Sequence, residues 1–263
     1  MNLPKSIALT CSVLLVLSGN GLSVKAAETR SGNSRQTFAD WCRQKAALNP
    51  EAQHTIEILL KKAGTTECDV ANQKLSSLTE LDLINNEISD IKPLQSLTNL
   101  MILDLSINEI SDIKPLQSLT NLTELSLVAN NISDIKPLES LTKLTKLVVS
   151  GNQISDITPL QSLTNLTKLD LNNNEISDIK PLQSLTKLTE IYLINNQIND
   201  LKPLESLTKL TSLDLINNQI NDLKPLESLT KLTELTLSGN PIVLKTCPLN
   251  LQSICNWELQ RKP

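Results

Sequence analysis

Seven aspartates recur at intervals of 22 residues, and this column of carboxylates is the feature of the chain that could bind cations. Calcium, however, needs several oxygen ligands that converge on one point. The alternative is that each aspartate caps the turn that follows it, and six of the seven have a lysine two residues further on to offset their repulsion. We favour capping and predict no metal site. The aspartates are Asp90, Asp112, Asp134, Asp156, Asp178, Asp200 and Asp222.

His54 is the single histidine of the chain. No Cys-His or Ser-His-Asp set can be assembled around it, so we interpret it as a side chain on a helix surface, not as a base or a metal ligand. With one histidine and no nucleophile motif, there is almost nothing from which a catalytic site could be built. We therefore expect no enzymatic activity, no catalytic residues and no cofactor.

The aspartates belong to a 22-residue unit that runs from Leu78 to about Leu251. Leu81 and Leu83 alternate with outward positions, which is the pattern of a short strand with one buried face. Apolar residues then recur every three positions around Pro93, which favours a 3-10 or irregular return. An asparagine at the bend can bond backbone groups that the bend leaves unpaired. Its eight copies are Asn86, Asn108, Asn130, Asn152, Asn174, Asn196, Asn218 and Asn240.

The pattern L-x-x-L-x-L-x-x-N-x-I-x-D-I-x-P-L-x-x-L resembles leucine-rich repeats, and it is most similar to the short bacterial, internalin-like type. One repeat cannot bury its own leucines, so stacked copies would share one core. The expected fold is an α/β solenoid: a leucine-rich repeat horseshoe with a parallel concave β-sheet, a 3-10 or irregular convex side, a helical N-terminal cap and a short disulfide-bearing C-terminal cap.

Four segments are predicted along the chain. Residues 1–26 form an export signal, with Lys5 before a mainly apolar stretch and small residues at the cleavage site. Residues 27–77 form a polar leader and a helical cap, with one helix from Thr37 through Ala47 and a second from Asn49 to Gly64. Residues 78–244 hold eight repeats, and residues 245–263 close the array.

Two alternatives to a cleaved signal are weaker. The apolar run is too short for a full membrane span, and Cys11 lacks the small preceding residue that a bacterial lipoprotein signal needs. We expect the mature protein to be secreted or periplasmic, monomeric and not inserted in a membrane. The net charge of −4, and the absence of arginine between Arg43 and Arg261, disfavour nucleic acid as a partner.

Four cysteines remain once Cys11 is removed with the signal, and an even number in an exported chain favours disulfides. Strands about 4.8 Å apart give eight copies a length of about 34 Å. Bonded cysteines need Cα atoms within about 7 Å of each other. Since two cysteines precede the array and two follow it, the predicted pairs are Cys42–Cys68 and Cys247–Cys255. The same separation of the two ends excludes a zinc site formed by all four cysteines.

The outward strand positions vary while the rest of the repeat hardly does, so the concave sheet is the default binding surface, as the family resemblance also implies. Drift of exposed positions is the alternative explanation. Interface hot spots favour Trp, Tyr and Arg, and this surface offers one tyrosine, so we expect a modest interaction with a protein or peptide whose identity the sequence does not give. The candidate partner-binding residues are Val148, Lys168, Asp170, Tyr192, Ile194, Asp214 and Ile216. A passive structural or adhesive envelope protein, without a specific partner, is the competing hypothesis.

Overall fold

The structure, a computed structural model, describes residues 36–243, 246–249 and 254–257. The predicted export signal, nearly all of the polar leader and part of the closing cap, including Lys245 and Leu251, lie outside the described residues. The described chain begins with helices and continues as a repeated unit of strand, bend and 3-10 turn.

Three helices precede the repeats: α1 (Phe38–Arg43), α2 (Pro50–Ala63) and α3 (Cys68–Ser76). Thr37 caps α1 in a reciprocal pair of hydrogen bonds with Asp40. Asn49 caps α2 by accepting from the Ala52 N–H, and Gly64 ends α2 in the left-handed conformation with φ +63°. The residue types at both ends therefore set the bounds of α2 as the sequence predicts.

The rest of the cap differs from the prediction. Helix α1 ends at Arg43 instead of continuing to Ala47, because Gln44 leaves helical geometry and the chain closes a separate 3-10 turn, Lys45–Ala47. Helix α3 was not predicted. Glu67 makes no side-chain cap, and only Ala71 and Leu75 of α3 are buried, so its sequence signal is weak.

A parallel sheet follows, and within the described residues it has nine strands in chain order. Residues 22 apart pair across the first eight, as when Leu81 lies beside Leu103 and Leu169 beside Ile191. The predicted register is therefore confirmed. A last short strand pairs Leu235 with Cys255 and was not predicted. The strands are β1 (Glu80–Asp82), β2 (Ile102–Asp104), β3 (Glu124–Ser126), β4 (Lys146–Val148), β5 (Lys168–Asp170), β6 (Glu190–Tyr192), β7 (Ser212–Asp214), β8 (Glu234–Thr236) and β9 (Cys255–Asn256).

The leucines and isoleucines of the repeat fill one continuous core between the sheet and the turns. Phe38 of α1 and Leu75 of α3 extend that core at one end, and Leu249 and Cys255 extend it at the other. The cap also bonds the first repeat: the Thr55 hydroxyl donates to the Asp90 carbonyl at 2.7 Å. His54, half-buried, bonds the Asn86 carbonyl through Nε2 at 2.7 Å, so it joins the cap to the array.

Each bend is held by its asparagine. Asn174 Oδ1 accepts from the Ile154 N–H at 3.0 Å, while Nδ2 donates to the Leu171 and Val149 carbonyls at 3.1 and 3.2 Å. One amide thus satisfies backbone groups of two successive repeats, which a buried bend could not leave unpaired. The role predicted for the asparagine column is confirmed.

Each predicted aspartate cap is also present. The Oδ1 atom of the aspartate accepts from the backbone N–H two residues on, at 2.8 to 2.9 Å in all seven copies. The N–H belongs to the first residue of a 3-10 turn, which has no partner inside the turn. The turns are Lys92–Ser96, Lys114–Ser118, Lys136–Ser140, Thr158–Ser162, Lys180–Ser184, Lys202–Leu204 and Lys224–Ser228.

Each cap contains one disulfide bond. Cys42 at the end of α1 bonds Cys68 at the start of α3, with Cα atoms 5.6 Å apart. Cys247 bonds Cys255 in β9, with Cα atoms 5.8 Å apart. Both predicted pairs are therefore confirmed, one in each cap.

Candidate functional site

The exposed sheet face consists of the outward positions of β1–β8 and the residue two positions after each strand. Leu147, Leu169, Ile191 and Leu213 point into the core, so their neighbours in each strand point out. All seven candidate residues lie on this face, and each is half-buried. The structure brings them together by register, because successive strands place Val148, Asp170, Tyr192 and Asp214 side by side.

Lys168, Glu190 and Tyr192 form one contacting cluster on this face. The Lys168 Nζ atom lies 2.7 Å from Glu190 Oε2, and the Tyr192 hydroxyl donates to the same oxygen at 2.9 Å. The ammonium also lies 5.1 Å from the centroid of the Tyr192 ring. Lys168 holds the pKa of Glu190 below its usual range, and Glu190 in turn raises the pKa of Lys168. Burial, followed by the neighbouring carboxylate, raises the pKa of Tyr192.

Glu190 was not among the predicted site residues, although it lies at an outward position. It joins Lys168 to Tyr192 and so holds both side chains in place. The signal that could have revealed it is the change of charge between register neighbours, since Lys168 and Glu190 are 22 residues apart.

Asp170 and Asp214 flank Tyr192 on its two sides. Each closes a turn: Asp170 Oδ1 accepts from the Asn172 N–H at 3.0 Å, and Asp214 Oδ1 accepts from the Ile216 N–H at 3.2 Å. Burial raises the pKa of both carboxyl groups. The two charged groups therefore sit where water solvates them poorly.

Apolar side chains border the cluster and also appear at the other end of the face. Ile194 and Ile216 lie beyond β6 and β7, and the Ile194 N–H donates to Asn172 Oδ1 at 2.6 Å. Ile84 and Ile107 are 40% and 53% exposed near β1 and β2. Ile107 was not a predicted site residue. Its signal is an isoleucine at a repeat position where Asn85, Asn173, Asn195 and Asn217 stand in other copies.

The opposite side of the repeats has shallow grooves between successive 3-10 turns. One of about 630 Å³ is lined by residues that include Asp112, Lys114, Asp134 and Glu139. A similar groove of about 580 Å³ recurs between later repeats. Because they recur with the repeat, these grooves are products of the scaffold and do not define a distinct site.

Over the ranges 36–243, 246–249 and 254–257, no group of three His, Cys, Asp or Glu side chains is placed to hold a metal ion. Within the same ranges, no helix has both the length and the apolar character that a membrane crossing requires.

Comparison with known proteins identifies the family. The family model described as Leucine Rich repeats (2 copies) matches residues 76–118, 120–162, 164–206 and 208–251. No curated protein matches the chain. A leucine-rich repeat fold of this kind is a protein–protein interaction module.

Solved structures agree. An internalin from Listeria monocytogenes, InlF, is 44% identical with a TM-score of 0.63, over 65% of this chain and 51% of that one, so the present chain spans about half its length. Internalin C2 of the same species is 36% identical with a TM-score of 0.70, over 76% of this chain and 88% of that one. A plant peptide hormone receptor, solved in complex with its peptide, is 26% identical with a TM-score of 0.58, over 65% of this chain and 30% of that one. The chain therefore belongs to the leucine-rich repeat family, as an internalin-like bacterial member.

Proposed function

We propose that this protein is an exported, non-enzymatic interaction module that binds a protein or peptide on its exposed sheet face, around Tyr192. The observation that carries the proposal is the contacting cluster of Lys168, Glu190 and Tyr192 on the outward face of the sheet, with a carboxylate on each side of Tyr192. The plant peptide hormone receptor, which shares the repeat fold and was solved in complex with RGF2, supports peptide binding by such a scaffold.

The cluster suits binding because its side chains are already positioned. The two bonds to Glu190 Oε2 restrain a lysine and a tyrosine that would otherwise lose rotamer freedom when a partner arrived. Tyrosine supplies both an apolar ring and a polar hydroxyl, which is why it is enriched at interface hot spots. Ile194 and Ile216 add apolar area beside it.

Export is supported by the two disulfides, Cys42–Cys68 and Cys247–Cys255, since such bonds persist in oxidising compartments and are rare in the cytosol. The signal predicted over residues 1–26 agrees with that location. We therefore place the mature protein outside the cytoplasm, in the secreted or periplasmic fraction.

The experiment is affinity capture from the native extracellular fraction with two matched double variants. Tyr192→Ser with Ile194→Ser changes the exposed sheet face, whereas Gln183→Ser with Lys202→Ser changes exposed residues of two 3-10 turns. Hot-spot truncation costs about 2 kcal/mol or more, so the first variant should weaken capture by about 30-fold, and the second should not. Both should keep the wild-type melting curve.

Undiminished capture by the Tyr192 and Ile194 variant, with an unchanged melting curve, would contradict the proposal. That result would favour a passive structural or adhesive protein of the envelope. Loss of capture with a lowered melting temperature would report unfolding, so the partner-binding comparison is made at a temperature where both variants are fully folded.

A further inference from the structure

The exposed sheet face is strongly acidic. Its outward strand positions carry eight carboxylates and two lysines, a net charge of −6, while the complete chain carries −4. Residues 1–26, the predicted signal, carry two lysines and no carboxylate, so the rest of the mature chain is neutral overall and the excess negative charge lies on one face. The carboxylates are Glu80, Asp82, Asp104, Glu124, Asp170, Glu190, Asp214 and Glu234, and the lysines are Lys146 and Lys168.

Both lysines are already neutralised inside the face. Lys146 pairs with Glu124 at 3.4 Å, and Lys168 pairs with Glu190 at 2.7 Å. The other six carboxylates form no ion pair within the part of the chain that the structure describes. Asp82, Asp104, Asp170, Asp214 and Glu234 accept hydrogen bonds from backbone or hydroxyl groups, which leave the negative charge in place.

Asp170 and Asp214 are the best placed of the six to meet a cation. They lie on the strands either side of Tyr192, about 4.8 Å away across the sheet in each direction. Burial disfavours their charged forms in the free protein, so a cation that approached them would relieve that cost.

The aromatic ring between them favours the same ligand chemistry. A ring face attracts ammonium and guanidinium groups within about 6 Å, and carboxylates form their strongest hydrogen bonds with those groups. The Lys168 ammonium, 5.1 Å from the ring centroid, already makes a contact of this kind within the chain. Ile194 and Ile216, just beyond the strands, offer apolar contact next to the charges.

We propose that the segment bound by the exposed sheet face is basic: an extended peptide or loop whose lysine or arginine side chains meet Asp170 and Asp214 beside Tyr192, with an apolar side chain on Ile194 and Ile216. This inference rests on the proposed function and names the chemistry of the partner. Charge complementarity is its ground, because a face of net charge −6 attracts basic segments and repels acidic ones.

The test uses two fluorescent peptides and the full mature chain. One peptide alternates lysine with serine around a central leucine, and the other has glutamate at every lysine position. Binding is followed by fluorescence anisotropy at low and at high salt. We expect the lysine peptide to bind, the glutamate peptide not to bind, and added salt to weaken the lysine peptide, since exposed charges are screened.

Two double variants with the same change of charge locate the binding. Asp170→Asn with Asp214→Asn alters the face and keeps an oxygen for each backbone bond. In contrast, Glu139→Gln with Glu205→Gln alters an exposed residue of one 3-10 turn and the exposed residue that directly follows another. The first pair should weaken the lysine peptide by about tenfold, which is about 1.4 kcal/mol and within what two partly exposed charge pairs contribute together. The second pair should weaken it by less than about twofold.

Three results would overturn the inference: no binding of the lysine peptide, equal binding of the glutamate peptide, or equal weakening by both variant pairs. Its failure is separate from failure of the proposed function. If the Tyr192 and Ile194 variant still loses its natural partner while the lysine peptide does not bind wild type, the face remains a binding surface and only the proposal that the partner is basic is refuted. If that variant retains its natural partner, the proposed function is refuted.

Discussion

Ile107 occupies a backbone conformation that its side chain disfavours, and replacing it should stabilise the protein. Its φ is +57°, in the left-handed region, and it is β-branched. The equivalent positions of the other repeats also have positive φ and hold asparagine, glycine or alanine. Asparagine tolerates this region because its short polar side chain can bond locally. The perturbation is therefore Ile107→Asn, which installs the commonest residue of the column.

The magnitude follows from two opposing effects. Relief of left-handed strain is worth about 1–2 kcal/mol for an ordinary side chain. Against it stands the loss of apolar contact, which is modest because Ile107 is 53% exposed. Ile84 supplies the matched control, since it is an isoleucine just after β1, is 40% exposed and does not have a positive φ. Ile84→Asn loses similar contact and relieves nothing, so the two variants should differ by about 1–2 kcal/mol.

Thermal and urea unfolding of wild type, Ile107→Asn and Ile84→Asn measure this difference. At about 2–4 °C per kcal/mol for a domain of this size, the Ile107 variant should melt about 2–8 °C above the Ile84 variant. Equal unfolding midpoints, or a lower midpoint for Ile107→Asn, would refute the reasoning that position 107 stores backbone strain.

The other predictions concern the bends, the sheet edge and the charges. Asn174→Ala should lower the free energy of unfolding, measured in urea, by about 3 kcal/mol or more, because it leaves the Ile154 N–H and two carbonyls unpaired in the core. A loss below about 1 kcal/mol would show that the bend does not depend on the amide. Met101→Thr should raise the melting temperature, with a gain of about 1 kcal/mol in the free energy of unfolding. Met101 interrupts a column of threonines whose hydroxyls, such as that of Thr123, donate to the carbonyl 22 residues earlier. A lower melting temperature would contradict this prediction. Asp170→Asn should raise the melting temperature at pH 7 but not at pH 3. Burial raises the pKa of Asp170 in the folded protein, so stability falls as the pH rises from the ordinary aspartate pKa through that folded pKa. An equal change of melting temperature at both pH values would exclude ionisation of Asp170 as the cause.

The repeat made the fold predictable. The register, the core and the bend roles of Asn174 and Asp112 each recur many times, so a single physical explanation covers every copy. The two disulfides followed from the separation of the array's ends, which the register itself sets. The outward orientation of Tyr192 was predictable from strand alternation alone.

The features that occur once were not predictable in the same way. Helix α3 has no side-chain cap at its start, so its sequence gives no clear helix signal. Strand β9 pairs with β8 at a spacing of 20 residues, which differs from the 22-residue repeat. The side chain of Ile107 disfavours a positive φ, but the repeat requires one at this position, since the equivalent residues of the other repeats also have positive φ. The bond from Tyr192 to Glu190 depends on side-chain conformations that spacing does not determine.

Photo-crosslinking tests most directly whether the exposed sheet face holds the partner. A benzophenone amino acid replaces Ile216, beside the Tyr192 cluster, or Gln183, exposed on a 3-10 turn, and each protein is irradiated in the native extracellular fraction. We expect a crosslinked partner from position 216 and none from position 183. A crosslink from position 183 with none from position 216 would contradict it.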